Sequence, residues 1–195
     1  MAKRATVFKR KVGQRKPNKV ILIIGEGQTE QAYFEAVRQV LRSPQLRLEI
    51  EPATSKSDPL NLVKKAKQRH KTGDYDHVFC VFDGDKPEEM QRARQQLDKA
   101  DKAIRGFVSI PCFELWLLLH FERSDAAMPD CRQTEIRLKQ HWQHYAKGCA
   151  CDVLMPKRPS ACENARWLAQ QQHANPCTDL HHLMAVLEST LSGNI

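Results

Sequence analysis

Four acidic residues stand at spacings that could hold a divalent cation: Glu26 and Glu30, then Asp83 and Asp85. Glu26 follows the apolar, largely β-branched run 20–24, and the aspartates close a second apolar run at 77–82. Both runs are too short for helices and read as strands buried on both faces. In an open parallel sheet, functional groups gather at the carboxyl ends of strands, beside the point where strand order reverses. If the two strands are neighbours, as in the order 2-1-3-4, their acids converge on one crevice. Glu30 lies one helical turn beyond Glu26 and can face the same space. Mutual repulsion would disfavour such a cluster without a cation, and hard carboxylate oxygens suit Mg²⁺ or Mn²⁺. The chemistry to expect is metal-assisted attack on a phosphodiester. Glu26 would be a metal ligand or proton-transfer group, Asp83 and Asp85 ligands, and Glu30 an additional or outer ligand; the catalytic set is Glu26, Asp83 and Asp85. Gly25, Gly27 and Gly84 would let the backbone turn tightly between the acids.

The elements that must position these acids follow in alternation. A helix is expected from about 29 to 42, with Tyr33, Phe34, Val37, Val40 and Leu41 on its inward stripe and Pro44 ending it. A strand nearer the edge covers 46–50. Ser57-Asp58-Pro59 starts a second helix that Gly73 closes. A charged helix runs from Pro87 to about Ala103, and a short strand lies near 104–109. Strand and helix alternating in this way specify βαβ units and a parallel sheet. Beyond it, 113–121 reads as an apolar helix, and 134–145, 162–171 and 178–188 as amphipathic ones. The fold class is therefore α/β, a parallel sheet with flanking helices and a C-terminal helical extension. The expected organisation is a basic arm over 1–18, an α/β domain over 19–125, and an extension over 126–195 packed on the same domain.

At 195 residues, with 41% hydrophobic and 28% charged residues, the chain suits one soluble domain. No apolar run approaches the roughly 20 residues needed to span a bilayer. No signal-peptide core follows the basic start, so a cytoplasmic location and no membrane partner are expected. The net charge of +8 is unevenly placed. Residues 1–19 hold Lys3, Arg4, Lys9, Arg10, Lys11, Arg15, Lys16 and Lys19, and no acid. Removing these eight from the 31 basic residues leaves 23, equal to the 23 acidic ones, so the body is formally neutral. An arm of this kind is drawn to phosphate backbones, with Lys9, Arg10, Lys11, Arg15 and Lys16 as the contacts, whereas the plainer alternative is a solubilising tail. Lys86, Lys157 and Arg158 are further candidates for phosphate, although lysines after acidic loops are usually only solvated.

Seven cysteines, an odd number, do not form a secreted disulfide framework. His141, His144, Cys149 and Cys151 could supply zinc ligands if the histidines share a helix face, but Cys-x-Cys is a poor spacing and a polar helix turning at Gly148 is favoured. Glu114 opens the apolar helix, where it could complement the helix dipole or reach the metal site. Trp116 and Leu117 to Leu119 read as core rather than as a base-stacking platform. Two other acidic sites fit less well. A haloacid-dehalogenase-like phosphatase places its Asp-x-Asp after an early strand with Thr or Val two residues on, where Pro87 stands here. A response-regulator receiver wants a lone Asp after the third strand and a later Lys.

Gly25-Glu26-Gly27-x-Thr29-Glu30 followed by Asp83-x-Asp85 resembles the Toprim domain of topoisomerases, primases and OLD-type nucleases. More closely, the chain is similar to the RloB-like family of bacterial defence-associated proteins. The basic tail, ILIIGEGQTEQAYF at 21–34, VFDGD at 81–85, SIPCFELWLLLHF at 109–121 and NPCTDLHHL at 175–183 carry that resemblance. It implies a Toprim-like fold and a role in restriction or abortive-infection loci, often beside an ATPase partner of the ABC or AAA class. It also matches Glu26 to the Toprim glutamate, Asp83 and Asp85 to the Asp-x-Asp pair, and Glu30 to the second acid of the OLD-type pattern. That pattern has Val or Cys where Gly25 stands. The expected function is a Mg²⁺- or Mn²⁺-dependent nuclease acting on DNA or RNA, tRNA among the candidates, in antiphage defence. The alternatives are a non-catalytic nucleic-acid-binding or regulatory subunit, and a nucleotidyl or phosphoryl transferase. Self-association is left open.

Overall fold

The computed structural model describes residues 19–52 and 58–192. The arm, with Lys9, Arg10, Lys11, Arg15 and Lys16, lies outside the described residues, as does Ser57.

β1 (Lys19–Gly25), β2 (Leu46–Pro52), β3 (His77–Asp83) and β4 (Ile104–Ile110) form a parallel sheet in the order 2-1-3-4. β1 pairs directly with β3, with Ile24 opposite Cys80 and Gly25 opposite Val81. The two acid-ended strands are thus central neighbours. A fifth strand, β5 (Cys177–Thr178), adds to β4 antiparallel, so the sheet is mostly rather than wholly parallel. It falls where the sequence reads as a helix start, and two residues are too few for any periodicity to register. Ser109 and Thr178 hydroxyls lie 2.8 Å apart across that pairing.

Side chains alternate across β1 and β3, and each set meets its own layer of helices. Ile21, Ile23, Phe79, Val81 and Phe107 face α1 (Gln28–Val40), α4 (Glu114–Leu118), α6 (Arg158–Gln170) and α7 (Leu180–Ser192). Leu22, Ile24, Val78, Cys80 and Phe82 face α2 (Pro59–Thr72) and α3 (Pro87–Asp98). The result is a three-layer α/β sandwich in which the C-terminal helices share the core of the first face. Trp116 and Leu117 to Leu119 are wholly buried in it. Asp58 caps α2 by accepting from the Asn61 N–H at 2.7 Å, with Pro59 in the first turn.

Several helices are shorter or displaced from their expected spans. The apolar helix at 113–121 keeps only five α-helical residues before tightening into a turn, with the His120 N–H donating to Leu117 O. α5 (Cys131–His141) starts at the Asp130 cap and ends before His144. His141 and His144 therefore do not share a helix face. His141 instead contacts Glu122 at 2.9 Å and stacks on Phe121, while the Cys151 thiol donates to the Cys149 carbonyl. No helix among the described residues is long and apolar enough to cross a membrane.

Candidate metal centre

β1 delivers Glu26 and β3 delivers Asp83 to the same end of the sheet, where α1 returns Glu30 and α4 adds Glu114. These four carboxylates line one cavity of about 330 Å³, together with Thr29, Phe113 and Lys147. Backbone amides hold two of them in place. The Asp83 N–H donates to Glu26 Oε1 at 3.2 Å, and the Phe113 N–H donates to Asp83 Oδ1 at 2.8 Å. Each bond commits one carboxylate oxygen and leaves its twin for another partner.

Burial and crowding dominate the electrostatics. Glu26 and Glu30 are each pushed up from 4.5 to about 7, foremost by loss of water, and Asp83 from 3.8 to about 8 for the same reason. Their mutual charges add to this: Glu30 and Asp85 raise Glu26, Glu114 raises Glu30, and Glu30 and Glu26 raise Asp83. Three acids are thereby brought near neutrality by desolvation and like charge together.

Gly25, Gly27 and Gly84 do not provide left-handed turns; among the described residues the glycine with positive φ is Gly148, at 75°. Gly25 is needed for a different reason. A Cβ there would stand 2.6 Å from the Glu30 Cβ, so glycine lets the Glu30 side chain cross the end of β1.

A family model of RloB-like proteins matches residues 21–187. The chain belongs to the RloB-like family. The match spans all the acids just described, α6 and the first part of α7. Comparisons with curated proteins and with solved structures return no match.

Asp85 is displaced from the expected cluster. It is exposed on the far side of the Asp83-Gly84-Asp85 turn and lines a neighbouring cavity. Its charge still reaches Glu26. Glu114, buried in the first turn of α4, does both things open to it: it sits at a helix start and lines the acidic cavity. Its Oε1 accepts from the Tyr145 hydroxyl at 2.6 Å. None of the expected cations among the described residues lines the cavity, although the charge of Lys86 reaches Glu26. Lys86 pairs with Glu89, Lys157 lies over the Phe121 ring at 4.6 Å, and Arg158 is held by Glu188 at 3.2 Å. Lys157 and Arg158 do not line the acidic cavity. The cation that does is Lys147, which the sequence did not single out. Its ammonium is 3.0 Å from Glu135 and 4.0 Å from Glu114.

The donor set fits a hard divalent ion. All the donors are carboxylate oxygens, two of them oriented by main-chain N–H groups, and their repulsion is what a cation relieves. Among the described residues no three His, Cys, Asp or Glu side chains already stand at ligating distances. Glu26, Glu30 and Asp83 would close on the ion, with Glu114 flanking and Asp85 outside the cavity.

Proposed function

We propose that this cavity binds Mg²⁺ or Mn²⁺ and cleaves phosphodiesters of nucleic acid, as the effector of an antiphage defence system that works with an ATPase partner. One observation carries the reading: Glu26, Glu30 and Asp83 converge from adjacent central strands and the following helix while burial holds them near neutrality. Such a cluster is costly for the fold and gains from a cation. When bound, the ion would neutralise the carboxylates and polarise phosphoryl oxygens. Glu26, held by the Asp83 N–H at the cavity wall, would ligate the ion or take a proton from an attacking water. Asp83 orients through its Phe113 amide bond, and Lys147 offers an ammonium to a phosphate entering beside Glu114. The arm at 1–18 supplies long-range attraction for the polyanion.

The test is incubation of the purified protein with labelled DNA, tRNA and total RNA, with and without Mg²⁺ or Mn²⁺. Metal-dependent cleavage that Glu26→Gln abolishes, at unchanged thermal stability or better, is the expected result. Binding without cleavage in every metal would instead identify a nucleic-acid-binding subunit.

A further inference from the structure

The Asp83-Gly84-Asp85 turn has two sides. Asp83 faces the acidic cavity, and Gly84 and Asp85 line a second, larger one of about 770 Å³. That volume lies within the range of small-molecule sites, roughly 300–1,000 Å³. We infer that this second cavity is a nucleotide subsite that holds a base next to the phosphodiester presented to the acids, an inference that rests on the phosphodiester reading of the first cavity.

The pocket lies between α3, the end of β4, the start of α5 and the segment at 174–175. Its floor is apolar. Met90, Val108 and Pro111 are buried there, and Ile110 and Pro129 complete it. A flat heterocycle removed from water gains by contact with such a floor, as bases taken out of a stack do when held between apolar side chains. The mouth is of mixed charge, with the carboxylates of Asp85 and Asp130 beside two guanidinium groups. Arg94 of α3 and Arg132 of α5 are exposed there, and neither forms an ion pair with a carboxylate among the described residues. Such a rim suits a nucleotide: the unpaired guanidinium groups can take its phosphate, and the carboxylates can accept from the amino or hydroxyl groups of its base and sugar. Gln91 and Asn175 bring amide groups to the same wall. The Asn175 amide already donates to Met128 O at 2.8 Å, which fixes its orientation. An apolar floor alone would not choose an occupant; the guanidinium pair and the turn shared with the acids do.

The experiment titrates the full-length protein with nucleoside 5′-monophosphates, ribo and deoxy, by calorimetry in the presence of a metal chelator. At least one should bind saturably. Ala174→Trp, which plugs the cavity from an exposed position, and the pair Arg94→Ala and Arg132→Ala should each weaken it by about tenfold or more. Asp83→Asn should leave this binding in place. Thermal unfolding checks each variant, and the arginine pair, exposed on the rim, decides if the tryptophan disturbs the fold. No saturable binding of any monophosphate, or binding indifferent to both changes, overturns the inference. Cleavage assays run in parallel separate the two readings. Metal-dependent cleavage lost in Asp83→Asn, with nucleotide binding unaffected by the cavity variants, leaves the acidic site standing and removes the subsite. Nucleotide binding sensitive to those variants, with no cleavage in any metal, upholds the subsite and removes the nuclease.

Discussion

Asp83→Asn should make the metal-free protein more stable at neutral pH and take away its response to Mn²⁺. In the folded chain the Asp83 carboxyl is pushed up from 3.8 to about 8, first by burial and then by the charges of Glu30 and Glu26. At pH 7 the unfolded chain ionises this group freely, whereas the native state resists. The gap of roughly three pKa units between the unfolded value and pH 7 sets a ceiling of about 4 kcal/mol. Asn keeps the acceptor for the Phe113 N–H and nearly the same volume. Because Asp83 titrates together with Glu26 and Glu30, removing one charge releases only part of the strain, and about 1–2 kcal/mol is the expected gain. For a chain of this size that raises Tm by about 2–8 °C.

The sign with pH follows from the same shift. A carboxyl whose pKa is raised on folding binds its proton more tightly in the native state. Its stabilising contribution is present below about pH 4 and is lost as pH rises through about 8. Variant and wild type should therefore melt together near pH 4 and diverge most at pH 8. Mn²⁺ should raise the wild-type Tm, by the equivalent of about 2.7 kcal/mol at a hundredfold excess over Kd, and raise the variant far less. Thermal unfolding followed by circular dichroism, from pH 4 to 8 with chelator or Mn²⁺, measures all of this. A variant less stable than wild type at pH 8 without metal would refute the claim of carboxylate repulsion. A wild-type Tm indifferent to Mn²⁺ would remove the cation site itself.

Three further predictions follow from separate parts of the molecule. Deleting residues 1–18 should weaken nucleic-acid binding and flatten its dependence on salt while leaving Tm unchanged, since the charge excess lies there and β1 begins at Lys19; binding titrations at several salt concentrations measure both slopes. Gly25→Ala should lower Tm by about 1–3 kcal/mol equivalent and blunt the Mn²⁺ response, because its Cβ would push Glu30 off the end of β1; melting with and without Mn²⁺ reads both effects. Tyr145→Phe should cost about 1–3 kcal/mol in denaturant unfolding, since it leaves the buried Glu114 carboxylate without its hydroxyl donor.

The strands that build the site were legible because both are apolar on both faces, as a central position in a parallel sheet requires, and both end in acid. Glu30 was legible through helical spacing alone. Lys147 was not, because it lies between α5 and the 3₁₀ turn at Asp152–Lys157, where no periodicity marks a residue as inward, and Tyr145 was read as the end of a helix that stops at His141. Arg158 misled in the opposite direction. Its charge suggested phosphate, yet the first residue of α6 turns inward and its partner is Glu188, thirty residues on. Asp85 shows the limit of spacing arguments: two residues apart at a turn, it and Asp83 point into different cavities.

The C-terminal extension is better understood as the fourth wall of the site than as an appendage. Between α5 and the 3₁₀ turn, three consecutive contacts tie one short segment to the acids. The Tyr145 hydroxyl reaches Glu114, the Lys147 ammonium stands beside it, and the Gly148 N–H donates to the Thr29 hydroxyl at 3.3 Å, at the start of the helix that carries Glu30. Gly148 turns the chain there with its φ of 75°, close against Gln28. A segment so placed neutralises part of the negative charge when no cation is present, which offsets the repulsion that would otherwise open the cavity. Lys147 and the proposed cation would act on overlapping carboxylates. If the proposed cation binds there, Lys147→Ala should raise the affinity for Mn²⁺, read as a larger Mn²⁺-induced rise in Tm than in wild type.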